Sequence, residues 1–181
     1  MSFKYGLATF KGLYVLKAAK YRLKFSTDVL LPDGQSVLSD LFNVEIGRAR
    51  GLVLVQEPGN EINYGGKSFV RQPHLKVVDV GGNLVVSDSL SLISVSIYSN
   101  PSGGTLFSYT NLITPVKFGI AQFKHLSIDK AGEGYSLLYS YINCHQGNTK
   151  DTQISAIGEL SFTFSAFSDH YHTKHNPLIL R

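Results

Sequence analysis

The densest group of potential metal ligands lies near the C-terminal end of the chain. His170 and His172 would share one face of a strand, and His175 could swing towards them. Imidazole is a good zinc ligand, but a convincing zinc site needs further donors, and Asp169 is the one carboxylate beside these histidines. We therefore expect no bound metal or other cofactor, and His170, His172 and His175 are the best candidates if a metal binds.

Cys144-His145 is a second pair with chemical potential, as a nucleophile and its base. Adjacent residues of a strand point to opposite faces, so these two side chains cannot meet without a turn. A thiol in a loop is the simpler interpretation. The sequence thus predicts no catalytic residue, and we expect that the protein is not an enzyme.

The aspartates and paired glycines also favour structural roles. Asp79, Asp88 and Asp129 are predicted to lie in turns or at strand edges, and their spacing does not fit a calcium-binding loop. The glycine pairs at 65–66 and 81–82 do not precede a helix, so we expect turns there rather than a phosphate cradle.

Aromatic side chains leave two interpretations open. They can stack on sugar rings, or they can fill cross-strand pairs in a sheet. We expect the structural role, with sugar binding as the alternative, for five residues: Tyr98, Phe107, Tyr109, Tyr139 and Tyr141.

The net charge of +4 is modest, and the basic residues are dispersed apart from a concentration between Lys11 and Lys24. Nucleic-acid-binding proteins usually carry a denser basic stripe, so we interpret this segment as a solvated strand face and expect no nucleic acid. The single cysteine excludes an intrachain disulfide. No apolar stretch approaches the roughly 18 residues of a membrane span, so we expect no direct membrane insertion.

Self-comparison reveals an internal repeat at a spacing of 113 residues. The segment 5–15 aligns with 118–128, keeping Gly, Ala, Phe, Lys and Leu in place, and the match continues to Tyr21 and Tyr135 after a one-residue gap. The repeat predicts that residues 1–50 are the C-terminal half of one unit, that residues 51–168 are a complete unit, and that residues 169–181 are a tail.

The units are predicted to be almost wholly β. Ile93, Val95 and Ile97 alternate with polar residues, which is typical of a strand with one buried face. Turn residues punctuate the chain at short intervals, and no segment has helical periodicity. The other predicted strands are 52–55, 75–79, 105–109, 118–123, 135–142 and 160–164, with 6–15 and 21–25 in the half-unit.

Tyr135 favours one kind of β fold. It follows the turn 129–134 at the start of a strand, as does the tyrosine of the tyrosine corner in immunoglobulin-like sandwiches. Leu137 stands where an antibody domain has its second cysteine, so packing would replace the disulfide. Tyr21 and Leu23 repeat this arrangement in the half-unit.

The motifs at 71–85 (Gln-Pro, then Val-x-Asp-x-x-Gly-Asn) and at 119–137 (Gly-Ile-Ala-Gln-Phe, then Gly-x-Gly-Tyr-x-Leu) resemble tandem immunoglobulin-like repeats of large surface proteins. Invasin-type (Big) adhesin repeats and filamin-type repeats are the two families that the motifs resemble. The resemblance implies serial spacers that carry no catalytic residues and bind other proteins or neighbouring repeats. The segment 168–175 departs from the end of the first copy.

We therefore expect an all-β protein of immunoglobulin-like β-sandwich repeats, one complete and one partial. Its expected function is that of a non-catalytic structural and interaction module from a larger cell-surface or extracellular protein, although this chain shows no signal peptide. A carbohydrate- or ligand-binding sandwich is the alternative. We expect a buried core in the complete unit at Phe123, Leu126, Ile128, Tyr135 and Leu137, and in a folded half-unit at Phe10, Leu13, Val15, Tyr21 and Leu23.

Overall fold

The computed structural model describes residues 2–28, 35–58, 62–142, 155–159 and 164–165, and the side chains of residues 5–28, 35–58 and 62–142. These residues form strands and connecting turns without a helix, which confirms the prediction of an all-β protein for this part of the chain.

Six short strands belong to the N-terminal region, and they pair as hairpins. Their bounds are β1 Ser2–Lys4, β2 Leu7–Thr9, β3 Ala19–Tyr21, β4 Lys24–Ser26, β5 Ser36–Leu38 and β6 Phe42–Val44. β1 pairs with β2, β3 pairs with β6, and β4 pairs with β5, each pair being antiparallel. The second and longer hairpin is interrupted at Leu23, whose N–H donates to the Ser39 hydroxyl at 2.9 Å.

The remaining strands build two larger sheets and two small pairs. Their bounds are β7 Gly51–Gln56, β8 Asn63–Tyr64, β9 His74–Val78, β10 Leu92–Ser99, β11 Leu106–Ser108, β12 Ile113–Pro115, β13 Ile120–Gln122, β14 Leu126–Ile128, β15 Ser136–Ile142, β16 Ser155–Glu159 and β17 Phe164–Ser165. One sheet has the order β7-β9-β13 and the other β12-β10-β15-β16, while β11 pairs with β14 and β8 with β17.

Among the described residues, one hydrophobic core receives side chains from both larger sheets. Leu75 and Val77 come from one sheet, and Ile93 and Leu137 from the other. The alternation predicted for β10 is present, since Ile93 and Val95 are buried while Ser96 and Tyr98 are exposed. All five residues predicted for the core of the complete unit are buried, which confirms that prediction.

The corresponding prediction for the half-unit is wrong. Phe10, Leu13 and Val15 are 42%, 61% and 36% exposed, and Tyr21 and Leu23 are only half-buried. The predicted apolar side chains lie on the N-terminal segments, but among the described residues no second sheet covers these side chains. Amphipathic alternation selects a face of a strand, and burial also needs a layer opposite that face.

The predicted strand 118–123 begins only at Ile120. Phe118 and Gly119 have φ values of 51° and 77°, so they form a two-residue turn that joins Lys117 to Ile120. Positive φ at both central residues is the mark of a type I′ hairpin turn. Tyr5 and Gly6, with φ values of 54° and 75°, make the same turn between β1 and β2, where 6–15 was predicted as continuous strand.

Several short strands have no counterpart in the sequence-based prediction. β8, β12, β14 and β16 were missed because strands of two to five residues carry too few positions to show alternation. The predicted strand 160–164 lies outside the described residues except for Phe164, which begins β17.

Candidate interaction surface

The loop 79–83, which follows β9, lies beside the segment that leads into β7. β7 and β9 are antiparallel with Gly51 opposite Val78, so the chain enters one strand where it leaves the other. The Arg50 N–H donates to the Val78 carbonyl at 2.7 Å and extends this pairing by one residue. The sheet register therefore places the loop 79–83 at the end of the sheet that faces the N-terminal hairpins.

Asp79 organises the loop from within. Its carboxylate accepts hydrogen bonds from the N–H groups of Gly81 and Asn83 at 2.8 and 2.9 Å, in the manner of an Asx turn. The Asn83 side-chain amide also donates to both carboxylate oxygens at 3.0 Å. Asp79 Oδ2 reaches beyond the loop as well, because it accepts the Gly47 N–H at 2.8 Å.

These donors lower the pKa of Asp79 to about 2, with the Asn83 side chain as the largest cause and the N–H groups of Gly47, Asn83 and Gly81 as further causes. Hydrogen bonds to a carboxylate favour its charged form. The carboxylate is buried, and its charge is compensated by four separate groups.

Asn83 carries the contact to the N-terminal region. Its Oδ1 accepts the Ala18 N–H at 3.1 Å, and its Nδ2 donates to the Leu16 carbonyl at 2.8 Å. In a parallel ladder, a residue opposite Lys17 would bond to the same two groups, so the side-chain amide imitates a strand backbone. The opposite orientation of this amide would face its oxygen towards a carboxylate, so the hydrogen-bond network fixes its orientation.

The receiving segment 16–18 is itself held by a tyrosine. The Tyr21 hydroxyl donates to the Lys17 carbonyl at 2.9 Å, between the two backbone groups that Asn83 binds. Tyr135 makes the corresponding bond to the Lys130 carbonyl at 3.2 Å. Tyr21 and Tyr135 thus both bond back to upstream backbone, as the tyrosine of a tyrosine corner does.

Gly81 permits the close approach of the two segments. A Cβ built on Gly81 would lie 1.8 Å from the Leu16 carbonyl oxygen, so any side chain here would push the segments apart. Lys17 adds a longer contact, from its Nζ to the Gly82 carbonyl at 3.4 Å. The glycine pair 81–82 thus forms a turn, as predicted, and this turn also shapes a contact surface.

The other two aspartates singled out from the sequence, Asp88 and Asp129, bind partners within residues 62–142. Asp88 is buried, and its carboxylate accepts the Tyr141 hydroxyl at 2.8 Å and the Ser91 N–H at 3.2 Å. Asp129 Oδ1 accepts the Thr105 N–H at 2.6 Å. Both act in turns or at strand ends.

The five aromatic residues do not form one surface. Tyr139 is buried in the core with its ring centroid 5.7 Å from that of Phe123, and Tyr141 is half-buried. Tyr98, Phe107 and Tyr109 are exposed by 62%, 50% and 82%.

The Tyr139 hydroxyl has no hydrogen-bond partner among the described side chains and backbone. Burial raises the pKa of this hydroxyl, with the nearby Glu57 charge as a smaller cause. Tyr139 therefore serves as a core aromatic residue.

An open groove of about 670 Å³ lies along β12 and β13. Its lining includes Ile113, Pro115, Phe118 and Phe123, with Lys117 and Lys124 at the sides. Phe118 is largely exposed beside it because the type I′ turn holds its side chain outside the core.

The histidines predicted as the best metal ligands, His170, His172 and His175, lie outside the described residues, as do Cys144 and His145. Within the described part of the chain, no three His, Cys, Asp or Glu side chains come together as a metal site. The same part contains no helix long and apolar enough to cross a membrane.

No protein-family model matches the chain, and a search of curated proteins finds no significant match.

Sequence reasoning placed Asp79 in a turn but did not recognise Asp79 and Asn83 as a contact surface. The signal was present in the motif Asp-x-x-Gly-Asn, whose spacing allows the asparagine to bond to the aspartate within one turn. Their partners Gly47, Leu16 and Ala18 are 32 to 67 residues away in sequence, and no local pattern points to them.

Proposed function

We propose that this protein is a non-catalytic structural and interaction module built from immunoglobulin-like β-sandwich repeats. In this proposal residues 51–168 form one complete repeat, residues 1–50 form the C-terminal half of another, and residues 169–181 form a tail. Its partners are neighbouring repeats or other proteins. The resemblance to surface-protein repeats supports a parent protein at the cell surface or outside the cell.

The strand order supports the sandwich. In chain order, β7, β9 and β13 correspond to strands A, B and E of an immunoglobulin-like domain, and β10, β15 and β16 correspond to strands C, F and G. β12 extends the second sheet beside β10, as an additional strand does in variable-type domains. The Tyr135 bond to the Lys130 carbonyl precedes β15, where the tyrosine corner belongs.

The backbone supports the repeat. Positive φ occurs at residues 5, 6 and 12 and again at 118, 119 and 125, so each position recurs after 113 residues. Left-handed conformations are uncommon outside glycine, and three of these six residues are not glycine: Tyr5, Phe118 and His125. β2 and β13 occupy corresponding positions as well.

The observation that carries the functional part of the proposal is the contact between the loop 79–83 and the N-terminal region. Hydrogen bonds from Asn83 to the Leu16 carbonyl, from the Ala18 N–H to Asn83 and from the Gly47 N–H to Asp79 tie the two regions together end to end. Serial spacers need this kind of connection, because units joined only by a flexible linker do not hold a fixed distance.

A lengthened chain tests the proposal. Residues 51–117 are placed directly before residue 5, so that Lys117 precedes Tyr5 as it naturally precedes Phe118. If residues 1–50 are half of a repeat, the added strands supply the missing layer and bury Phe10, Leu13 and Val15. We expect the backbone amides of residues 7–15 to become protected from hydrogen exchange and the added unit to unfold cooperatively.

The matched control carries Leu75→Asp in the added copy alone. Leu75 is fully buried in the natural unit, so a charge there prevents the added strands from packing. The repeat interpretation is wrong if the lengthened chain and its control leave residues 7–15 equally unprotected while the natural second unit stays folded.

Carbohydrate binding remains the second candidate because Tyr98, Phe107 and Tyr109 present exposed rings. Affinity electrophoresis in soluble polysaccharides tests it, with Tyr109→Ala against the wild type. Retardation that disappears in the variant would favour sugar binding over a purely structural role.

A further inference from the structure

We propose that the loop 79–83 is a docking surface that recognises the tyrosine-corner segment 16–18 of the preceding unit and fixes the angle between the two units. This inference rests on the proposed function, in which residues 1–50 and 51–168 belong to successive repeats. Its partner is defined chemically as an exposed backbone segment that offers one carbonyl and, two residues later, one N–H group.

The loop is preorganised for this contact. Asp79 fixes the loop through the N–H groups of Gly81 and Asn83, and it also holds the amide of Asn83 at both oxygens. The side chain of Asn83 therefore loses little further freedom when it binds segment 16–18, and preorganisation of this kind strengthens binding. A free asparagine on a mobile loop would not have this advantage.

The receiving segment is preorganised as well. Tyr21 holds the Lys17 carbonyl, which leaves the neighbouring Leu16 carbonyl and Ala18 N–H for Asn83. The tyrosine corner thus has a second role here. It shapes its own turn, and it presents that turn to the next unit.

Two further contacts set the angle. The bond from the Gly47 N–H to Asp79 Oδ2 lies on the connecting segment, away from residues 16–18. Gly81 lies against the Leu16 carbonyl with no room for a side chain. A joint held at separated points resists rotation about any one of them, whereas a single bond would act as a pivot.

The second unit has the corresponding corner, and its surroundings differ. A Cβ built on Gly65 would lie 2.7 Å from the Asp129 carbonyl oxygen and 3.3 Å from the Ala131 N. Gly65 thus covers within its own unit the positions that correspond to Leu16 and Ala18. In the N-terminal corner, Gly81 from the next unit lies where Gly65 lies in the second unit. If the first unit is completed, its added Gly65 and the Gly81 of the next unit would compete for segment 16–18.

The principal experiment uses the full chain and Gly81→Ala. The φ value of Gly81 is not positive, so alanine suits its backbone, but the added Cβ meets the Leu16 oxygen. We expect hydrogen exchange of the Ala18 and Gly47 amides to accelerate at least tenfold, while core amides such as that of Val95 are unchanged. Residual dipolar couplings from residues 5–50 and 62–142 should fit one alignment tensor in the wild type and require two in the variant.

Gly51→Ala is the matched control. A Cβ at Gly51 meets only Val78 Cγ2, at an ordinary contact distance of 3.5 Å, so this variant should behave as the wild type. Asn83→Ala is the second variant, for use if Gly81→Ala does not fold. It removes both bonds to segment 16–18 and should expose the Ala18 amide to a similar degree.

Three results would overturn the inference. The first is an Ala18 amide that exchanges as fast in the wild type as in Gly81→Ala. The second is a Gly81→Ala variant in which residues 5–50 and 62–142 still fit one alignment tensor. The third comes from the lengthened chain: if Phe10 becomes buried but the Ala18 amide no longer depends on Gly81, the completed unit covers its own corner. That outcome would leave the repeat architecture of the proposed function intact and remove only its contact between units, whereas failure to bury Phe10 would contradict the repeat architecture itself.

Discussion

Residues 5–28 and 118–142 share turns and tyrosine placement, yet they differ in burial. Phe123 is 2% exposed and its counterpart Phe10 is 42% exposed, although each follows the same type I′ turn. None of the described side chains from residue 5 to residue 50 is fully buried. The comparison shows that turn chemistry is local, whereas a core needs two layers, and the second layer comes from distant parts of the chain.

The most sensitive probe of this difference is the matched pair Phe123→Ala and Phe10→Ala. Truncating a buried phenylalanine costs about 3–5 kcal/mol, so Phe123→Ala should lower the free energy of unfolding by that amount. Phe10→Ala should cost less than about 1 kcal/mol, in the range of surface substitutions. Urea unfolding of both variants measures this. Equal losses would mean that Phe10 is covered in solution.

The two tyrosine corners provide a smaller comparison. Tyr135→Phe removes the bond to the Lys130 carbonyl and should cost about 0.5–1.5 kcal/mol of unfolding free energy, the usual contribution of one hydrogen bond. Tyr21→Phe removes the bond to the Lys17 carbonyl but should hardly alter that free energy, because Tyr21 lies outside the core. Its expected effect is faster exchange at the Ala18 amide. A loss from Tyr21→Phe as large as that from Tyr135→Phe would show a packed N-terminal core.

As the pH is lowered, the contact between residues 1–50 and the loop 79–83 should be lost before residues 51–142 unfold. The pKa of Asp79 is lowered to about 2, and an unfolded aspartate has a pKa of about 3.9. A lowered carboxyl pKa contributes stability that is complete above the unfolded value and is lost as the pH falls through the folded value. Between about pH 4 and pH 2 we therefore expect the Gly47 and Ala18 amides to lose protection while the wild-type core stays intact.

Asp79→Asn serves as the control for this titration, since it cannot ionise. In this variant the Gly47 and Ala18 amides should show no loss of protection that depends on pH between about pH 4 and pH 2. A wild-type profile that is flat between pH 4 and pH 2 would contradict the assigned role of the Asp79 carboxylate.

The smallest expected effect concerns His125, which has a φ of 57°, whereas residue 12, 113 positions earlier, is a glycine with a φ of 72°. The left-handed conformation costs a non-glycine residue about 1–2 kcal/mol, and glycine avoids this cost but adds unfolded-state entropy. His125→Gly should therefore leave the unfolding free energy unchanged or raise it by up to about 1 kcal/mol. Thermal unfolding measures the change. A loss above 1 kcal/mol would show that the His125 side chain, edge-on to Tyr109, contributes more than its backbone conformation costs.

The apolar surface of residues 1–50 also affects solubility. This surface includes the largely exposed Leu7, Leu13, Tyr14 and Val37. Exposed apolar patches favour association, so we propose that residues 1–50 are unstable alone and need a covering partner. Expression of residues 51–181 beside the full chain tests this: a full chain that is monomeric and protected from proteolysis over residues 1–50, without packing on the second unit, would contradict it.

The sequence by itself determined those features that depend on residues close together in the chain. Alternation in β10, the buried positions around Phe123 and Tyr135, and the tyrosine bonds to upstream backbone all follow from side-chain period and turn residues within about ten positions. The type I′ turns were accessible too, in principle, through Tyr5-Gly6 and Phe118-Gly119. An aromatic residue is unusual at positive φ, so the residue types there predict a continuous strand instead of a turn.

Only the tertiary structure decided which predicted surfaces meet. Tyr139 and Tyr141 lie on the same face of β15, yet one ring fills the core and the other bonds to Asp88. Phe10 and Phe123 occupy equivalent positions, yet only Phe123 has a sheet opposite it. Asn83 finds its partners across 65 and 67 residues. The physical reason is common to all three: local sequence fixes the direction of a side chain, but the chain's long-range path decides what that side chain contacts.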